Sequence, residues 1–232
     1  MNVIELQTAG STNDYARRLA REGAASGTII WAHEQTAGRG RQGRPWTSMP
    51  GNLFMSMILR PRVGVEHVGQ LSFLSAVALA NVLERIIPAS AQIGLKWPND
   101  LLINRKKAAG ILIETENRMP WVVVGIGVNV ASAPPDAVSL RAAGAKTCEA
   151  GHILGLLAKE MQVMVENWEK TGFKTIREAW LKRAYGLGEE VTARMPQETL
   201  TGIFKGIDQS GALQLQMPDG AVKTINSAEV FV

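Results

Sequence analysis

The spacing Gly38-x-Gly40-x-x-Gly43 suits a dinucleotide-binding turn between a strand and a helix, and the residues after it forbid the helix. A Rossmann fingerprint needs a strand before the glycines, a helix opening on them and an acidic residue about twenty positions on. Thr28-Ile29-Ile30-Trp31-Ala32 supplies the strand. Pro45-Trp46 follows the glycines at once, however, and Leu59-Arg60-Pro61-Arg62 stands where the acid belongs. No Gly-Lys-Ser/Thr closes the motif, so a P-loop fails too. What remains is a loop, Glu34 to Pro50, in which Arg39, Arg41 and Arg44 alternate with glycines. Glycine lets backbone amides approach an anion closely, and arginine offers planar forks that match phosphate oxygens. A solvated basic turn or an RGG-like RNA contact would fit the same charge. Such a loop repels itself when empty, so it is expected to be mobile without ligand and ordered with it.

Around the loop, the hydrophobic pattern switches between helix and strand periods. Ser11 is placed to cap a helix whose stripe is Tyr15, Ala16, Leu19 and Ala20, with Asp14 completing a box-like start and Gly23 ending it. Leu53, Met55, Met57 and Leu59 alternate as in a strand with one strongly buried face. A helix is expected over about Val65–Ile87, then strands at Ile93–Trp97, Leu101–Ile103, Ala108–Glu114 and Trp121–Val130. Asn104-Arg105-Lys106 should be a tight turn, and Ala131–Ala145 a Pro/Ala-rich connection. Two helices follow, in His152–Lys170 and Phe173–Tyr185. Gly186-Leu187-Gly188 marks a boundary, so residues 1–186 form a mixed α/β domain and 187–232 a small antiparallel barrel with turns at Asp208–Gly211 and Pro218–Gly220.

Composition narrows the class. With 46% hydrophobic and 20% charged residues, the chain can build a sizeable core without staples. The one cysteine, Cys148, forms no internal disulfide, and with no signal peptide in the opening residues a cytoplasmic setting is expected. The apolar stretch Leu71–Ile87 carries Ser72, Ser75, Asn81, Glu84 and Arg85, which suits a buried helix rather than a membrane span. The three histidines are too dispersed for a metal motif. A net charge of +4 predicts no nucleic-acid partner by itself.

A second cluster, Lys96-Trp97-Pro98-Asn99-Asp100, places polar groups at the end of a buried strand. Asn-Asp could simply make a turn with Trp97 packed in the core. Lys107 follows Arg105 and Lys106 as one more surface cation, yet it opens an apolar strand that could aim it inward.

Together these residues resemble the biotin–protein ligase family. Gly38-Arg39-Gly40-Arg41-Gln42-Gly43-Arg44-Pro45-Trp46 is similar to its GRGRxGRxW loop, and Lys96–Asp100 reads as its KWPND motif. Ser11-Thr12-Asn13, Glu34-Gln35, Lys107–Leu112, Gly125–Asn129 and Gly206–Leu213 fall in family order, so the likeness covers nearly the whole chain. The resemblance implies an α+β fold of the biotin–lipoate ligase type, related to class II aminoacyl-tRNA synthetases: a mixed sheet flanked by helices plus an SH3-like barrel. It implies that Ser11, Thr12, Asn13 and Gln35 hold the biotin ring system. Arg39, Gly40 and Arg41 would cover the activated carboxylate, and Lys107 would contact it. Arg44, Trp46, Lys96, Asn99 and Asn129 would lie on the nucleotide side. Only ten residues precede Ser11, so the DNA-binding domain of some members is not expected.

The implied reaction joins biotin's carboxylate to the α-phosphate of ATP with Mg²⁺ bridging phosphate oxygens, then passes biotin to a lysine of a biotin carboxyl carrier protein. Arg39, Arg41, Arg44 and Lys107 would offset the repulsion of two anions, and Asp100 would act as base or orient the acceptor amine. A monomer or a homodimer is expected, with a sheet edge near Trp121–Val130 free to pair. The rivals are a lipoate–protein ligase or octanoyl transferase of similar fold, and a nucleic-acid module stacking bases on Trp46 and Trp97.

Overall fold

The computed structural model describes residues 2–116, 121–146 and 148–232. Seven strands form the main sheet in the order β1-β2-β3-β7-β6-β5-β4. They are β1 (Val3–Ala9), β2 (Ile29–Gln35), β3 (Leu53–Leu59), β4 (Ile93–Lys96), β5 (Asp100–Ile103), β6 (Lys106–Thr115) and β7 (Val122–Val128). Only β1 and β2 pair in parallel; every other neighbour is antiparallel. β7 lies in the interior, paired with β3 on one side and β6 on the other, so the expected free edge at Trp121–Val130 is overturned. The edges are β1 and β4. β1 escapes notice in the sequence because Val3–Ala9 is half exposed and alternates weakly.

β3 is buried on both faces rather than one. Leu53, Met55, Met57 and Leu59 enter the main core with α2 (Gln70–Leu83) and α3 (Ala150–Thr171). Ile58 joins a smaller core with Ala16 and Ala20 of α1 (Thr12–Arg21), Ile30, Trp121 and Val123. Because α1 covers this second face, Ser56 is fully buried beneath it. The expected helix over Val65–Ile87 is shorter: a 3₁₀ turn at Val65–His67 precedes α2, which ends at Leu83. α2 is buried nearly all round, as a helix between a sheet and other helices must be.

Ser11 stands at the N-cap of α1, but its side chain makes no capping bond. The orphan Thr12 amide instead donates to Gln35 Oε1 on β2 at 2.8 Å. The box-like role assigned to Asp14 is likewise replaced by a pair with Arg39. Asn104 and Arg105 turn tightly with φ of 49° and 67°, joining β5 to β6 as expected.

After α3 and α4 (Lys174–Leu181) the chain builds a second sheet, β11-β10-β9-β8-β12. Its strands are β8 (Glu190–Arg194), β9 (Thr199–Ile207), β10 (Leu213–Gln216), β11 (Val222–Ile225) and β12 (Glu229–Phe231). It fits the SH3-like unit expected, as a five-stranded antiparallel sheet with β11 and β12 at its ends. Gly211, at φ +90°, turns β9 into β10, and its carbonyl accepts from Trp97 Nε1 at 2.9 Å. That bond ties the second sheet to the Lys96–Asp100 segment. Among the described residues no helix is long and apolar enough to cross a membrane.

Candidate active site

A cleft of about 220 Å³ opens over the middle of the main sheet, where β6 and β7 carry glycines instead of side chains. Trp46, from the end of the Gly/Arg loop, lies flat on that floor. A methyl at Gly127 would come within 2.6 Å of its ring, and one at Gly110 within 2.9 Å. The indole Nε1 is buried with no hydrogen-bond partner among the described residues. An unpaired buried donor in a cleft is available to a ligand acceptor.

One end of the cleft is neutral, polar and buried. Thr12 Oγ1 donates to Gln35 Oε1 at 3.0 Å, and Ser56 Oγ lies 2.8 Å from Thr12 Oγ1 and 2.6 Å from Asn13 Oδ1. Asn13 Nδ2 donates to Glu114 at 2.7 Å. Thr12, Asn13 and Ser56 are each under 5% exposed. Ser11 lines the same end. The groups sit on α1, β2, β3 and β6, so packed elements hold their geometry.

The other end carries charge. The loop turns through a 3₁₀ segment, Arg41–Gly43, and returns on itself with the Gly40 amide bonded to the Arg44 carbonyl at 2.8 Å. Arg39 forks onto Asp14 at 2.7 Å and reaches Glu114 at 3.0 Å. The bond to Asp14 raises its already high pKa. Arg44 forks onto Glu229 with both contacts at 2.6 Å, and that bond raises its pKa too. Arg41 differs: Nη2 donates to Ser227 Oγ at 2.9 Å, no carboxylate pairs with it among the described residues, and burial pushes its pKa down. A guanidinium stays charged even so. Arg41 therefore presents a partly buried cation to the cleft, where an anion could pair with it. The self-repulsion foreseen in the sequence is offset by Asp14, Glu114 and Glu229.

Lys107 Nζ stands 2.8 Å from Asp100 Oδ1 and 5.5 Å from the Trp46 ring centre. The carboxylate oxygen is buried and makes no well-aligned hydrogen bond among the described residues, so the contact is an ion pair only. Lys96 lines the cleft over the Phe231 ring. Asn99 lines it too, while its amide donates to the Ile111 carbonyl at 2.7 Å and ties the turn to β6. Among the described residues no three His, Cys, Asp or Glu side chains gather as a metal cage.

The structure thus brings Ser11, Thr12, Asn13, Gln35, Arg39, Gly40, Arg41, Arg44, Trp46, Lys96, Asn99, Asp100 and Lys107 to one cleft. Asn129 stays outside its lining: it is 4% exposed and sits below Lys107, its amide 3.4 Å from the Lys107 carbonyl. Sequence reasoning missed Ser56, Glu114, Ser227 and Glu229. A polar residue inside the apolar run Leu53–Leu59, and an acid ending the run Ala108–Glu114, were the available signals for the first two.

Comparison with known proteins agrees with this geometry. Residues 4–130 match the Biotin/lipoate A/B protein ligase family, and residues 186–232 match the Biotin protein ligase C terminal domain. The biotin–[acetyl-CoA-carboxylase] ligase of Paracoccus denitrificans is 41% identical, with 97% of this chain and 98% of that protein aligned. The bifunctional ligase/repressor BirA of Bacillus subtilis is 40% identical over 99% of this chain and 73% of its own length. A biotin protein ligase from Aquifex aeolicus, solved in complex with biotin and ATP, superposes with a TM-score of 0.87 at 29% identity, covering 99% of this chain and 98% of that one.

Proposed function

The chain belongs to the biotin/lipoate A/B protein ligase family, and we infer from its cleft that it is the biotin-specific kind, which activates biotin with ATP and transfers it to a protein lysine. The observation that carries this is the joining of two unlike ends over one glycine floor. Thr12, Asn13 and Gln35 offer neutral donors and acceptors at one end, backed by the buried Ser56, and the cations Arg39, Arg41, Arg44, Lys96 and Lys107 line the same cleft. A ureido ring can satisfy that polar end. The dithiolane of lipoate or the chain of octanoate would offer these groups no polar partner and gain nothing from them. A nucleic-acid module would have no use for such an end.

In the first step a biotin carboxylate oxygen bonds the α-phosphorus of ATP, and the bond to pyrophosphate breaks. We assign Arg39, Arg41 and Arg44 and Lys107 to offsetting the charge that gathers there. Lys107 would exchange its Asp100 partner for the incoming carboxylate. Ser11, Thr12, Asn13 and Gln35 would hold the ring system, with Gly40 giving backbone approach beside them. Trp46, Arg44, Lys96 and Asn99 would face the nucleotide, and Asn129 would support that side by fixing the Lys107 backbone. Mg²⁺ typically keeps several waters and binds through substrate phosphates; it would arrive with ATP, since no cage of protein ligands stands ready among the described residues. It would neutralise phosphate charge.

In the second step the lysine amine attacks the acyl carbon, the bond to the adenylate oxygen breaks, AMP leaves and the amine loses its proton. Asp100 is our candidate for orienting that amine. The acceptor we propose is a biotin carboxyl carrier domain, docking by extension of a sheet edge, for which β1 has one side unpaired. The same edge would serve a homodimer. A division near residue 186 and a cytoplasmic setting, which suits the free thiol of Cys148, complete the reading. Biotin-dependent exchange of labelled pyrophosphate into ATP tests it. Exchange should appear with biotin and not with lipoate or octanoate; exchange with lipoate instead would overturn the specificity.

A further inference from the structure

Two of the three loop arginines end on one tripeptide of the C-terminal sheet. Arg44 Nη1 and Nη2 donate to Glu229 Oε1 and Oε2, each at 2.6 Å, and Arg41 Nη2 donates to Ser227 Oγ at 2.9 Å. Ala228, Glu229 and Val230 line the cleft between them. The partners lie 185 and 186 positions apart in the chain, so these contacts close very long loops.

The segment Ala228–Val230 that carries Glu229 is anchored independently of the loop. Ala228 and Val230 are each 4% exposed in the main core, and Val230 pairs with Ala193 on β8. Glu229 is therefore held in place before Arg44 arrives, and little side-chain freedom is lost in making the fork. It is also surrounded by cations, with Arg44, Arg194 and Lys96 all acting on it. Arg39 has Asp14 and Glu114 to balance it, whereas Glu229 is the one carboxylate paired with Arg44 among the described residues.

Resting on the reading above, the geometry points to Glu229 as a positioning residue: from β12 it holds Arg44, and with it the Gly/Arg loop, folded over the cleft before any ligand binds. Its carboxylate touches no reacting atom. Its effect is to keep the closed arrangement of Arg41 and Arg44 populated, so that nucleotide meets an ordered loop. The opposite role is also physically coherent, since a carboxylate on Arg44 could compete with phosphate. The two roles predict opposite signs for ATP.

Limited tryptic digestion of the whole, ligand-free protein reads loop order directly, because Arg39 and Arg41 are cleavage sites. Loss of an exposed ion pair shifts such an equilibrium by up to about fivefold. Glu229→Gln should accelerate cleavage after Arg39 and Arg41 by roughly that factor, and Glu229→Asp should restore much of the protection. Arg44→Gln breaks the same pair from the loop side, leaves the C-terminal sheet intact, and should accelerate cleavage equally. In pyrophosphate exchange, Glu229→Gln should raise KM for ATP several-fold with a smaller change in kcat. Unchanged cleavage in both variants, or a fall in KM for ATP, would overturn the proposal. The digestion needs neither biotin nor ATP, so it stands or fails apart from the assigned activity; an absence of biotin-dependent exchange in the unaltered protein would sink the activity and leave the loop result untouched.

Discussion

At the end of the cleft built by α1, β2 and β3, the polar groups are neutral, largely buried and bonded to one another. At the end built by the Gly/Arg loop, β5 and β12 they are charged, partly exposed and held by ion pairs. The first end is pre-organised by packing, and its hydrogen bonds need no rearrangement to receive a ligand. The second is held by carboxylates: Asp100 pairs with Lys107, which would exchange it for an anion in the proposed reaction, and Glu229 pairs with Arg44. Under the proposed function, shape selectivity would belong to the end that stays still, and transition-state stabilisation to the charged end.

The strongest way to break this contrast is Lys107→Ala. Removing one preorganised charge from a developing anion typically lowers kcat by about 10²–10³. Biotin-dependent exchange should fall by that factor while biotin binding, read by calorimetry, changes far less. Equal losses in both would place Lys107 among the recognition groups instead. Next in size is Ser56→Ala. It leaves Thr12 Oγ1 and Asn13 Oδ1 without their shared partner, and an unsatisfied buried group costs about 1–3 kcal/mol. Affinity for biotin should drop roughly 10- to 100-fold with KM for ATP unchanged. A parallel rise in KM for ATP would mean that the two ends are not separable.

The same contrast explains what the sequence reveals. The Gly/Arg loop and Lys96–Asp100 announce themselves because irregular backbone and clustered charge are written contiguously, and Lys107 stands out against the apolar strand it opens. Ser56 and Glu114 are hidden because a side chain's face depends on register, and a strand covered on both sides has no solvent face to betray it. Reading β3 as buried on one face left Ser56 pointing at nothing. Glu229 is hidden for another reason: it comes to Arg44 only after the second sheet has folded onto the first through Trp97 and Gly211. The interior place of β7 was equally out of view, since an all-apolar run such as Trp121–Val124 fits a central strand or an edge awaiting a partner.

A smaller effect separates the loop's own arginines. Arg41 is partly buried and its hydrogen bond goes to a hydroxyl, with no carboxylate pairing it among the described residues, so it should act on the intermediate and little on stability. Arg41→Gly should release biotinyl-AMP into solution about tenfold faster when no acceptor protein is present, a loss on the order of 1.4 kcal/mol, within the range for a charged hydrogen bond. Retention equal to that of the unaltered protein would remove Arg41 from that role. Thermal stability should scarcely change, because the Arg39 and Arg44 pairs remain.

The smallest effect is a pH dependence of stability at the two ends of the loop. The hydrogen bond from Arg39 lowers the Asp14 pKa below 3.8, and the bond from Arg44 lowers that of Glu229 below 4.5. A lowered folded pKa means that the unfolded chain binds more protons, so the stabilisation is complete above these ordinary values and is lost as pH falls below them. Both carboxylates are solvent-exposed enough for screening to limit each pair to about 0.2–1 kcal/mol, or on the order of 1–4 °C in melting temperature for a chain of this length. Asp14→Asn leaves Arg39 its bond to Glu114, whereas Glu229→Gln leaves Arg44 with no carboxylate among the described residues. Glu229→Gln should therefore flatten the fall in melting temperature between about pH 5 and about pH 2.5 more than Asp14→Asn does, and added salt should erase the difference. The reverse order would mean that Arg39, and not Arg44, is the arginine whose position depends on charge.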